Sequence, residues 1–154
     1  MNALINEKLI IPKLKGRNKE TVIKELISKL FENGKISSKK EFTDAVMKRE
    51  TVLSNELNFG VALPHARSGA VKEMSLVIGI SDGLYWDNDK NNIINLVFLF
   101  AIPNNRPPNE HIESLSAISK LILHPSFRKK IINANHCKEV IKIISKSCAD
   151  ALEE

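Results

Sequence analysis

No stretch of about eighteen apolar residues occurs in this 154-residue chain, so it holds no candidate for a membrane-crossing helix. Its N-terminus, MNALINEKLIIPKLKG, lacks a basic head, a long apolar stretch and a small-residue cleavage site. No signal peptide is expected there, and a cytoplasmic location is. Cysteine is scarce: only Cys137 and Cys148 are present. On one helix, their 11-residue separation is about 16 Å along the axis, beyond the roughly 7 Å that a disulfide spans. Two thiols without metal-like spacing are core fillers of a reducing compartment. Nor is there an HExxH or a comparable grouping of close histidines with a carboxylate, so no metal site is implied. A Walker loop is missing too, and no cofactor is expected.

What is present is an ordinary globular composition. Apolar residues make up 43% of the chain, and the length suits one domain spanning 1–154, without repeats or linkers. A net charge of +5 raises the question of nucleic acid. The lysines, however, are scattered among 18 acidic residues. The short clusters (Lys13, Lys15, Arg17, Lys19; Arg128, Lys129, Lys130) lack interleaved aromatics and any DNA-binding motif, so no nucleic-acid partner is expected.

The apolar pattern alternates between strand and helix. Leu9-Ile10-Ile11 is a first strand, closed by Pro12. Glu20 to Glu32 carries a helical stripe of Val22, Leu26 and Leu30, with Ile23, Ile27 and Phe31 beside it, and Asn33-Gly34 stop it. Ser38 with Glu41 forms a capping box for a helix that turns Phe42, Ala45 and Val46 inward and ends near Arg49. Met74 to Ile80 is a strand buried on both faces, followed by loop chemistry at Asp82-Gly83 and Asp87-Asn88-Asp89. Trp86, between those loops, is a packing anchor. Ile93 to Ile102 is the most apolar run and a central strand, ended by Pro103. Pro107 and Pro108 introduce a helix reaching about Leu123, with Leu115, Ile118 and Ile122 on its buried stripe. His111, four residues before Leu115, belongs to that stripe in the first turn; by pattern alone it is a satisfied histidine at the buried edge. Pro125-Ser126 breaks the chain, and Phe127–Ala134 and Cys137–Leu152 are closing helices. The order implies an α/β fold: a mostly buried mixed β-sheet flanked by helices.

The most distinctive stretch is RETVLSNELNFGVALPHAR, Arg49 to Arg67. Val61 to Leu63 is too short for a helix and lies between a glycine and a proline, so it is a brief buried strand. Pro64 ends it, and His65 is the first free side chain past the strand end, at a sheet rim where open α/β folds keep their sites. Arg49-Glu50 followed by Gly60-Val61-Ala62-Leu63-Pro64-His65-Ala66-Arg67 resembles the signature of the enzyme IIA components of the bacterial sugar phosphotransferase system. The likeness is to the fructose/mannitol branch, which includes nitrogen-regulatory IIA proteins. It extends over almost the whole chain, departing at Glu56 and Asn58, where that family commonly has glycines. The resemblance implies a protein-histidine phosphotransferase component. His65 would accept a phosphoryl group from the phosphocarrier HPr and pass it to a IIB domain of a sugar permease.

Three residues are asked to do chemistry. A histidine near the usual pKa of roughly 6.5 is about three-quarters neutral at pH 7 and needs no base before attacking phosphorus. Arg49 supplies charge: near 4 Å from a phosphoryl oxygen it gains about 4 kcal/mol at an effective dielectric of 20, before desolvation. Its planar fork also fixes orientation. Read from the residues alone, Arg49 is a helix cap paired with a surface acid, and the resemblance is what favours the phosphate role. The resemblance places His111 beside the acceptor, where it would hold the phosphoryl group and the acceptor ring. The weaker candidate, Arg67, fits a phosphate contact or a solvated charge, and His124 and His136 are structural or exposed. A weak homo-oligomer stays open. So does an alternative role, a regulatory IIA-like module whose phosphorylation state controls a partner without relaying phosphate to a sugar.

Overall fold

The computed structural model describes residues 4–52, 56–57, 59–86, 93–105, 107 and 109–153. The expected turns at Asp87-Asn88-Asp89, together with Asn58 and Pro108, lie outside the described residues.

A 3-10 turn (Glu7–Leu9) leads into strand β1 (Ile10–Ile11), then helices α1 (Lys19–Glu32) and α2 (Lys39–Val52). Three short strands follow: β2 (Glu56–Leu57), β3 (Val61–Ala62) and β4 (His65–Ser68). Two long ones, β5 (Ser75–Tyr85) and β6 (Ile93–Pro103), precede α3 (Asn109–Ile122), α4 (Pro125–Ile132) and α5 (Cys137–Glu153). The sheet runs β1-β5-β6-β3-β2, with β4 also paired to β6. It is mixed: β5 and β6 are antiparallel, whereas β1 lies parallel to β5 and both β3 and β4 lie parallel to β6.

Alternation along β5 and β6 divides the interior into two cores. Val77, Val97, Leu99 and Ala101 face Val22, Leu26 and Leu30 of α1 and Phe42 and Val46 of α2. Leu76, Ile78, Phe98 and Phe100 face Ile118 and Ile122 of α3, Phe127 and Ile131 of α4, and Val140 and Ile144 of α5. Covering both faces is what makes the two long strands read as unbroken apolar runs.

Several features depart from expectation. Asp82-Gly83 is strand, not loop, because β5 continues through a register shift between Ile80 and Leu84, where Gly83 takes φ 141°. Pro125 opens α4 at its first position instead of breaking the chain, since the N–H it lacks has no partner in a first turn. Phe31 is 45% exposed, with the Lys39 ammonium 5.2 Å from its ring centre, and so is outside the core. Cys137 and Cys148 are free thiols that are only partly buried, packed at the margin of the second core.

Candidate functional site

Helix α2 brings the first part of the site. Ser38 Oγ accepts from the N–H of Glu41 at 3.1 Å, fixing the start of the helix. Phe42 and Val46 are fully buried, and the next residue at the same four-residue spacing, Glu50, is 4% exposed. Arg49 precedes it by one position, about 100° around the axis, and is therefore exposed on the flank of a firmly seated last turn. The helix runs on to Val52, past the end expected near Arg49.

The second part lies on the sheet edge. Ala62 pairs with Val97 and His65 with Phe100, so the register along β6 is unbroken across Leu63-Pro64. Proline has no N–H to give the ladder, but its carbonyl accepts from Phe100 at 3.0 Å. His65 is consequently the first residue of β4 and half-buried on the flank of the sheet, not a free side chain beyond a strand end. Pro64 interrupts the hydrogen bonds without turning the chain.

These two parts meet at the imidazole. Nδ1 of His65 lies 2.9 Å from the carbonyl oxygen of Leu63, and Arg49 Nε donates to Nε2 at 2.9 Å. A carbonyl can only accept, so Nδ1 carries the proton. An N–H pointing at Nε2 requires a lone pair there, so the ring is neutral. Burial, the largest influence, lowers the ring's pKa below its usual value; the Leu63 carbonyl opposes this, Arg49 adds to it, and Glu50 opposes it more weakly. A neutral imidazole with one nitrogen anchored can act as a nucleophile through the other once the arginine leaves that lone pair.

Beneath Arg49, the Glu50 carboxylate accepts from Trp86 Nε1 at 3.4 Å and lies 3.6 Å from Lys19 Nζ, both through Oε2. This carboxylate is not among the site residues expected from the sequence, although the spacing Phe42, Val46, Glu50 marks it as inward. Trp86, read as a packing anchor, is buried and also a donor. Of the basic cluster, Lys19 at the start of α1 pairs with Glu50, and nearby the carboxylate of Glu25 accepts from the backbone N–H of Gly16 at 2.9 Å.

His111 is in the first turn of α3, as its position implied; its side chain lies outside the described residues. Arg67 is exposed, with Nη2 3.5 Å from the carbonyl of Asn104. His124 and His136 are exposed at the starts of α4 and α5, where their carbonyls accept from the N–H groups of Phe127 (3.1 Å) and Glu139 (3.0 Å). Among the described residues no group of three or more His, Cys, Asp or Glu side chains is placed to hold a metal ion. None of their helices is long and apolar enough to cross a membrane.

Fold and site together define a three-layer α/β protein with a neutral histidine on a sheet edge, its Nε2 accepting from a guanidinium. Residues 3–147 match the family model described as "Phosphoenolpyruvate-dependent sugar phosphotransferase system, EIIA 2", and the chain belongs to that family. The fructose-specific EIIABC component of the phosphotransferase system of Bacillus subtilis is 29% identical over 143 residues, which cover 92% of this chain and 22% of that protein. The chain thus spans about a fifth of that relative's length. Among solved structures, the nitrogen regulatory protein IIA-Ntr of Neisseria meningitidis superposes with a TM-score of 0.83 at 22% identity, covering 92% of this chain and 97% of that one. The enzyme IIA of the Escherichia coli mannitol system, solved in complex with its phosphorylated IIB, gives 0.78 at 19% identity, covering 92% and 97%. These neighbours share the fold expected from the sequence, an α/β sheet flanked by helices.

Proposed function

We propose that this protein is a phosphocarrier of the sugar phosphotransferase system. His65 accepts a phosphoryl group from phospho-HPr and passes it to a IIB domain, supporting coupled uptake and phosphorylation of a sugar. The observation that carries this reading is the ring's pair of contacts, Nδ1 to the Leu63 carbonyl and Nε2 to Arg49. They leave Nε2 as the attacking atom. Its lone pair forms the new N–P bond while the donor's N–P bond breaks and returns its electron pair to the donor nitrogen. No proton has to leave His65.

Arg49 occupies the direction of that lone pair at rest. It therefore has to swing aside as the phosphoryl group arrives, which an exposed side chain in a last helical turn can do, and then meets the phosphoryl oxygens with its planar fork. We assign a second phosphoryl partner to His111, a residue of the first turn of α3, where the backbone N–H groups of a helix start also suit an anion. Family membership and the sugar-transport names of the relatives favour relay over the regulatory alternative, which rests on fold likeness alone.

The test is transfer itself. Incubated with phosphoenolpyruvate, enzyme I and HPr, the parent chain gains one acid-labile phosphate and yields it to the cysteine of a IIB domain. His65→Ala takes up none. Arg49→Gln and His111→Ala keep the fold and are phosphorylated more slowly, Arg49→Gln by on the order of a hundredfold, the usual cost of losing one charge-stabilising donor. Undiminished labelling of His65→Ala, or labelled parent that no IIB discharges, overturns the reading.

A further inference from the structure

Arg67 is left without a role by the transfer chemistry above, although it shares a strand with His65. Along β4, Ala66 and Ser68 are buried, at 5% and 6% exposure, whereas His65 is half-buried and Arg67 exposed. Side chains alternate across a strand, so His65 and Arg67 stand on one side of β4, about 6.6 Å apart along it. The register with β6 fixes what lies ahead of each. His65 pairs with Phe100, Arg67 with Ile102 and Ser68 with Pro103, so the next residue, Asn104, lies just beyond Arg67.

The two side chains lean apart. The His65 ring is drawn back along the strand, its Nδ1 2.9 Å from the Leu63 carbonyl oxygen. Arg67 reaches forward, its Nη2 3.5 Å from the Asn104 carbonyl oxygen. A guanidinium directed that way stands at the rim of the site and not on Nε2, which Arg49 already contacts. The Asn104 contact is long for a hydrogen bond and its acceptor is neutral, so a carboxylate presented at this rim is a stronger partner. Asn104 is itself exposed, so the rim is reached from solution.

The geometry points to a docking role: Arg67 is a specificity-determining residue that receives an acidic side chain of each protein exchanging a phosphoryl group with His65. The inference deepens the proposed relay and rests on it. Donor and acceptor must both bring a reacting atom to the same Nε2, so both cover the rim on which Arg67 stands. A cation there stabilises the encounter and speeds association, and takes no part in the bond making and breaking at phosphorus. The chain's net charge of +5 adds to the same attraction. Arg49, by contrast, touches the reacting nitrogen. One arginine thus serves the chemistry and the other the recognition.

Transfer kinetics separate these roles. Arg67→Gln, folded as judged by circular dichroism, is expected to raise KM for phospho-HPr in uptake and for IIB in discharge. At low salt the rise is about fivefold, the upper range for one exposed ion pair, and kcat is unchanged. Arg67→Glu raises both values further through like-charge repulsion, and Arg67→Lys recovers most of the loss. The differences from the parent shrink between about 0.1 M and 1 M salt, as the screening length falls from about 10 Å to about 3 Å. Should Arg67→Glu fail to fold, Arg67→Gln and Arg67→Lys carry the test. KM values equal to the parent's in folded variants, or differences that persist at high salt, overturn the docking role. A fall in kcat at unchanged KM overturns it too, by making Arg67 a contact of the phosphoryl group. Failure of the acceptor assignment shows elsewhere, as label on His65→Ala, whatever Arg67 does.

Discussion

His65 holds its proton less readily in the folded chain than in an unfolded one, and stability inherits that preference. The unfolded ring titrates near 6.5 and the folded ring below it. Between those two values the unfolded state binds more protons, so stability rises with pH. The contribution is fully present above the unfolded value and is lost as pH falls through 6.5 toward the folded value. Denaturant unfolding of the parent and of His65→Gln from pH 7.5 to 5 checks this: the parent loses more stability on acidification. A difference that is flat with pH contradicts it. At this scale Arg49 and His65 were legible because they stand in one distinctive string. Glu50 stands in the same string but was not legible: a carboxylate at an inward helical position looks like surface until its partners, Lys19 and Trp86, are known.

Among elements, the middle of β5 shows how a glycine reports on a neighbour distant in sequence. Gly79 pairs with both Ile11 and Val97, and a Cβ built there falls 2.8 Å from the Leu14 side chain. Leu14 is itself tied down, its N–H donating to the Ile80 carbonyl at 2.8 Å. Gly79→Ala is therefore expected to destabilise by about 1–3 kcal/mol through overpacking. Adding Leu14→Ala should recover part of that loss in a double-mutant cycle; additive losses would show that the two sites are independent. Apolar periodicity located both long strands and the five α-helices among the described residues. It misplaced edges wherever a breaker residue kept its hydrogen bonds by another route. Pro64 gives its carbonyl to Phe100, Gly83 absorbs a register shift within β5, and Pro125 opens a helix with its φ already set.

For the whole molecule, β6 is the shared wall. Leu99 and Ala101 point into the core beneath α1 and α2, while Phe98 and Phe100 point into the core beneath α3, α4 and α5. Neither core keeps its packing without this strand, so both should be lost in one cooperative transition. Far-UV circular dichroism, dominated by the helices, and fluorescence of Trp86, buried on the α1–α2 side, are expected to give coincident melting curves. An early change in either would show that the cores come apart separately. The sequence by itself determined the alternation of elements, the burial of both sheet faces and the string bearing Arg49 and His65, because periodicity and short-range order are written locally in the chain. Only the tertiary structure decided which nitrogen of His65 is free and what lies beneath Arg49. Those depend on a backbone carbonyl, an indole and a lysine brought from separate elements, and no local pattern records where a fold will set them down.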